Sequence, residues 1–107
     1  MFFSVVIPTY NRLPILEKCL KALEQQHLDS QLIEGYEVIV VDDGSTDQTI
    51  EFLESHGELF KHLVLFKQDH RGPASARNLG VIKAKGDIII FIDSDLVVTE
   101  NFLLSHA

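Results

Sequence analysis

The chain has 107 residues, 46% of them hydrophobic and 23% charged, and a formal net charge of −7 from 16 acidic and 9 basic residues. That is the length and composition of one globular domain, and the acidic balance argues against general nucleic-acid binding, which needs a basic footprint. No apolar run approaches the ~20 residues of a membrane helix, and a single cysteine, Cys19, excludes an internal disulfide and fits a reducing cytosol.

The opening "MFFSVVIPTYN" has no basic n-region and no small-residue cleavage site, and reads as a strand over 3–9 instead of a signal peptide. Residues 12–27 carry Leu13, Leu16, Leu20 and Leu23 at spacings of three and four, the mark of an amphipathic helix, with Asn11 as its cap and Pro14 in the first turn. Cys19 falls within that pattern as a small core residue. A polar loop is expected over 28–36 and a second buried strand, "EVIVVDD", over 37–43. Ser45-x-x-Gln48 has capping-box spacing ahead of Ile50 and Leu53, and Gly57 reads as the stop. A third strand follows at 62–66. Pro73 then opens a helix with Ala76, Leu79 and Ile82 at helical spacing and Gly86 at its end. Residues 87–93 make a fourth strand, and Thr99 is placed to cap a last helix.

This order is β-α-β-α-β-α-β. Near-continuous apolar strands alternating with helices imply a three-layer α/β/α, Rossmann-like parallel sheet with both faces covered. In such sheets ligands bind beyond the carboxyl ends of the strands. Those ends carry "PTYNR" (8–12), "DDGSTD" (42–47), "KQDHRGPASARN" (67–78) and "DSD" (93–95), all polar. The opposite edge is plainer, so one edge is the active one.

The chemistry of that edge centres on Asp93-Ser94-Asp95. If the strand continues, alternation sends the two aspartates to one side and Ser94 to the other. Two carboxylates this close repel unless a cation lies between them, and hard oxygen ligands suit Mg²⁺ or Mn²⁺, completed by substrate phosphates and water. Asp42 and Asp43 could ligate metal or accept from a ribose hydroxyl or a base N–H, while Asp47 suits helix capping. Arg71 and Arg77 put cations at the mouth of a helix whose free N–H groups favour anions. There is no Gly-x-Gly-x-x-Gly and no Walker loop, so phosphates are not bound in either of those ways. The five histidines do not cluster, and only His70 lies on the active edge.

"SVVIPTYNR", "VIVVDDGSTD", "RGPASARNLG" and "GDIIIFIDSD", in that order, resemble the N-terminal half of glycosyltransferase family 2, nucleotide-sugar-dependent enzymes of the GT-A fold. The resemblance implies that Pro8, Thr9 and Tyr10 line the nucleotide pocket, with Asp42 and Asp43 near the base and Arg71 and Arg77 near base or diphosphate. It makes Asp93 and Ser94 part of the nucleotide site and Asp95, with Asp93, the ligands of an Mn²⁺ or Mg²⁺ cofactor. The implied reaction is inverting transfer of the sugar of a nucleotide-diphosphate sugar, a UDP-sugar above all, to a saccharide or lipid acceptor hydroxyl. The catalytic base and acceptor-binding half of such enzymes lie after the Asp-x-Asp. The expectation is therefore one nucleotide-sugar-binding domain over 1–107, cut short of the acceptor half, cytoplasmic or peripheral to a membrane, and self-associating through uncovered surface. A non-catalytic nucleotide-binding module is the alternative, ahead of a sugar nucleotidyltransferase, which would need a Gly-rich basic loop after the first strand.

Overall fold

The computed structural model describes residues 1–29 and 31–107. Four parallel strands, β1 (Phe2–Thr9), β2 (Gly35–Asp42), β3 (Leu63–Lys67) and β4 (Ile88–Phe91), form one sheet in the order β3-β2-β1-β4. Helices α1 (Leu13–Glu24), α2 (Thr49–Ser55) and α3 (Pro73–Lys83) connect them.

Alternation along each strand feeds two cores. Phe3, Val5 and Ile7 of β1 and Val38 and Val40 of β2 pack with Leu16, Cys19, Leu20 and Leu23 of α1 and Leu53 of α2. Val6, Ile39 and Val41 face the other way, onto Ala76 and Leu79 of α3. Both faces of the central strands are thus buried, which is why their sequences read as unbroken apolar runs. The three-layer expectation holds. Two small residues let α3 lie close: Ala76 is fully buried, and a Cβ on Gly80 would overlap the Val6 side chain.

The chain winds outward from β1 through β2 to β3, then α3 crosses to the opposite face and delivers β4 to the other side of β1. The winding direction reverses between β1 and β4, so a crevice opens there above the carboxyl ends. Register sharpens its position. Thr9, Asp42 and Lys67 lie side by side, whereas β4 ends at Phe91 opposite Val6. The residues following Phe91 therefore run alongside Ile7, Pro8 and beyond.

Several element ends differ from the sequence reading. Residue 30 of the expected 28–36 loop lies outside the described residues, and Gly35 and Tyr36 of that span already belong to β2. Asn11 is not the α1 cap: it takes φ +51, and its Oδ1 accepts from Thr46 N (2.7 Å) and Asp47 N (3.1 Å), tying the first loop to the second. Ser45 makes no capping box, because its hydroxyl donates to Asp42 Oδ1 (2.6 Å) and α2 starts only at Thr49. There Asp47 Oδ1 accepts from Thr49 N (3.0 Å), the helix-entry role expected of it. Ile82 is 76% exposed and is not core. Gly86 does not end α3, which stops three residues earlier. It lets the chain pass over β1, where an added Cβ would sit 2.5 Å from Ser4 Oγ and 2.7 Å from Ser4 N. β4 is shorter than 87–93 and forms a half-buried sheet edge, not a buried strand. Thr99 caps no helix: its carbonyl accepts from Phe102 N (3.1 Å) in a turn, and one 3₁₀ turn follows at Leu104–His106.

Candidate functional site

The crevice at the switch point is a cleft of about 530 Å³ lined by Pro8, Thr9, Tyr10 and Arg12 after β1, Asp43, His70, Pro73 and Arg77, and Asp93, Ser94 and Asp95 after β4. Loops from all four strand ends meet there.

The three residues after β1 differ in role. Pro8 closes one side, and Tyr10 holds its ring against the imidazole of His70, centroids 4.3 Å apart. Thr9 is 3% exposed, and its Oγ1 is the one buried side-chain polar atom without a hydrogen-bond partner among the described residues. Burying a hydroxyl unpartnered costs about 1–3 kcal/mol.

Asp42 and Asp43 are both tied into neighbouring loops. Asp42 is 1% exposed, does not line the cleft, and accepts from Ser45 N (2.9 Å) and Ser45 Oγ. Asp43 Oδ1 accepts from Arg71 N (2.7 Å) and Gln68 Nε2 (2.8 Å), and Oδ2 accepts from Gly72 N (3.0 Å) and faces His70 Nδ1 at 3.0 Å. Burial pushes this carboxyl upward, but those hydrogen bonds and the imidazole outweigh it and hold Asp43 below the usual carboxylate range. Asp43 thus staples the loop after β3 to the end of β2. Arg71 takes part through its backbone. Its side chain lines a neighbouring groove with Lys67, Gln68 and Asn78, so the structure separates it from Arg77, which lines the cleft itself.

Asp93, Ser94 and Asp95 lie past the end of β4. Leu96 N donates to Asp93 O (3.1 Å), so the segment turns. The strand alternation expected there does not apply, yet the outcome is the expected one: Ser94 is buried and both aspartates are exposed. Neither carboxylate takes part in an ion pair or a side-chain hydrogen bond among the described residues. The described residues hold no group of three or more His, Cys, Asp or Glu suited to a metal. Two carboxylates nevertheless suffice for Mg²⁺ or Mn²⁺ when phosphate oxygens and water complete the shell. Behind them Cys19 is inert: burial, with the Asp95 charge adding, pushes its thiol up to about 12.

Three lining residues, Arg12, His70 and Pro73, carry no site role in the sequence reading above, Pro73 being read only as opening a helix. Arg12 ends the "PTYNR" loop, where nothing in the spacing marks it as a ligand. His70 was placed on the edge, but nothing in the spacing marks its contact with Asp43, which is far away in sequence.

A doubly wound parallel sheet with acids, arginines and an aromatic gathered at its switch point is an α/β ligand-binding domain of GT-A architecture, as comparison with solved structures bears out. The TarS 1–349 fragment of S. aureus in complex with UDP-GlcNAc superposes with a TM-score of 0.84 at 32% identity, over 99% of this chain and 30% of that one. The mannosyltransferase PcManGT of Pyrobaculum calidifontis, in complex with GDP-Man and Mn²⁺, gives 0.76 at 32% identity over 94% of this chain and 30% of that one. Among curated proteins, the uncharacterised glycosyltransferase YfnE of Bacillus subtilis is 40% identical over 103 residues, covering 96% of this chain and 25% of its own length. The chain belongs to glycosyl transferase family 2, whose model matches residues 4–107. It spans about a quarter of YfnE and under a third of the TarS fragment.

Proposed function

We propose that this domain binds a nucleotide-diphosphate sugar across the switch-point cleft, as the donor half of a metal-dependent, inverting glycosyltransferase. The observation that carries it is the gathering of two unengaged carboxylates, Asp93 and Asp95, with two arginines, Arg12 and Arg77, in one cleft. The nucleotide complexes of TarS and PcManGT support the ligand class.

In this reading Pro8, Thr9 and Tyr10 hold the nucleoside. Asp93 and Asp95 hold Mn²⁺ or Mg²⁺, and Ser94, turned inward, fixes the turn that presents them. Arg77 and Arg12 face the diphosphate and offset its charge in a chain of net charge −7. Asp42 and Asp43 act as struts, and Arg71 through its backbone. The bound metal supplies positive charge where the leaving nucleoside diphosphate develops negative charge. An acceptor hydroxyl, of a saccharide or lipid, attacks the anomeric carbon from the face opposite the leaving group, which inverts it. No residue of 1–107 is assigned as the base for that step, and the domain is read as acting within a longer enzyme at the cytoplasmic side.

Titration calorimetry with UDP, GDP and their sugars, with and without Mn²⁺, tests this. Metal-dependent binding of at least one nucleotide is expected. No binding by any of them, or equal binding without metal, contradicts the reading.

A further inference from the structure

Charge is unevenly spread along the chain. Residues 71–85, "RGPASARNLGVIKAK", hold Arg71, Arg77, Lys83 and Lys85 and no acid. The rest of the chain, with five basic and 16 acidic residues, stands at −11. The basic segment is α3 with its two flanks, and α3 packs on the Val6–Ile39–Val41 face of the sheet. The helical carboxylates Glu17, Glu24, Glu51 and Glu54 belong to α1 and α2, which pack on the opposite face. A helix with its side chains is about 10 Å thick. That exceeds the ~8 Å over which a charge acts at physiological salt, so the far layer is screened from the outer surface of α3.

Arg77 lines the cleft, but the other three cations do not. Arg71 lines a separate groove beside α3. Lys83 holds Nζ 5.6 Å from the centre of the Phe66 ring of β3, and Lys85 is exposed in the segment leading to β4. None of the three pairs with a carboxylate among the described residues. Asp69 is the one acid lining the groove, and Lys67 lines it too. Between these cations lie Leu79, in the groove, and Val81 and Ile82, 41% and 76% exposed. Ile82 is the most exposed large apolar side chain among the described residues.

A single exposed apolar residue needs no explanation. Two adjacent ones on an acid-free helix, flanked by unpaired cations, define a surface of mixed chemistry. A small soluble anion would answer the cations and leave Ile82 in water. A purely apolar partner would cover Ile82 and bury unpaired charge. A lipid surface carrying negative headgroups answers both, since phosphates meet the cations while the apolar side chains enter the boundary of the acyl layer.

We propose that the outer face of α3 docks this domain on an anionic membrane surface, with Arg71, Lys83 and Lys85 against the headgroups and Val81 and Ile82 below them. The same helix carries Arg77 into the cleft, so docking holds the cleft beside the headgroups. The proposal does not depend on the nucleotide reading.

Flotation of the chain with phosphatidylcholine vesicles tests this, with and without about one third phosphatidylglycerol, at low and high salt. Binding to the anionic vesicles alone, weakened by salt, is expected. A basic residue near such a surface is worth about fivefold in affinity, so Lys83→Ser combined with Lys85→Ser should weaken binding about tenfold or more. Ile82→Ser should weaken it about threefold or more. All three side chains are exposed, and circular dichroism checks that the variants keep the fold. The chain has no tryptophan, so Ile82→Trp supplies a reporter that does not rest on affinity. Its emission should shift to the blue on adding anionic vesicles, and that of Lys18→Trp, on α1, should not. No binding to anionic vesicles, or binding that ignores both the lysine and the Ile82 substitutions, overturns the proposal. Binding that needs the lysines but ignores Ile82→Ser and leaves the Ile82→Trp emission unchanged also overturns it, and makes the face a contact for a soluble polyanion or an acidic protein.

Discussion

Replacing Asp43 with asparagine isolates the strut on which the site is built. The substitution keeps the shape and one acceptor oxygen, which can still serve Arg71 N and Gln68 Nε2. The new amide NH₂ then points at Gly72 N–H, which had donated to Oδ2, while His70 Nδ1 keeps its hydrogen bond to the Asp43 carbonyl. Asp43 is only 3% exposed, so water cannot repair the clash. The orphaned donor costs about 1–3 kcal/mol, or about 5 °C or more in Tm for a domain of this size. The pH dependence has a defined sign. Asp43 is held below the usual carboxylate range, so the folded state takes up its proton less readily than the unfolded chain. Its stabilisation is fully present above the unfolded value near ~3.9 and is lost as pH falls through the folded one. The gap between wild type and Asp43→Asn is therefore widest near neutrality and narrows below about pH 4. Urea unfolding followed by far-ultraviolet circular dichroism from about pH 3 to 7 measures both. A neutral-pH difference under about 0.5 kcal/mol, or a gap that widens in acid, would refute the reasoning.

Thr9→Val should separate stability from binding. Removing an unpartnered buried hydroxyl raises unfolding free energy by about 1 kcal/mol, while calorimetry shows weaker nucleotide binding; a variant that binds as well as wild type excludes Thr9 from the contact. The open β4 edge, with Phe91 48% exposed, is expected to drive concentration-dependent self-association of the 107-residue chain. Sedimentation velocity should show it reduced in Phe91→Lys, and a strict monomer at high concentration contradicts it.

The sequence reveals the alternation of strands and helices because both faces of β1 and β2 are buried, which leaves apolar runs no other explanation. It reveals the active edge because four polar loops fall at the carboxyl ends. It does not reveal that β4 is a half-buried edge, since "DIIIF" has the same composition whether a fifth strand flanks it or not. Nor does it tell Asp42 and Asp43 apart from free ligands. Their partners are Ser45, three residues on, and the backbone of residues 71 and 72, nearly thirty residues on, and only the fold brings the latter near. The same long-range contact hides His70, an exposed histidine whose anchor lies on another loop. Asp93 and Asp95 both line the cleft although the strand stops short of them, because the segment turns there and buries Ser94 between them.

The central claim is that Asp93 and Asp95 hold a divalent ion for a nucleotide diphosphate. Calorimetry of wild type and Asp95→Ala against UDP and GDP, each with and without Mn²⁺, tests it most directly. The account predicts metal-dependent binding by the wild type, and a variant that keeps its fold by circular dichroism, loses at least about tenfold in affinity with Mn²⁺ present, and no longer responds to the metal. Undiminished, Mn²⁺-dependent binding in Asp95→Ala would contradict it.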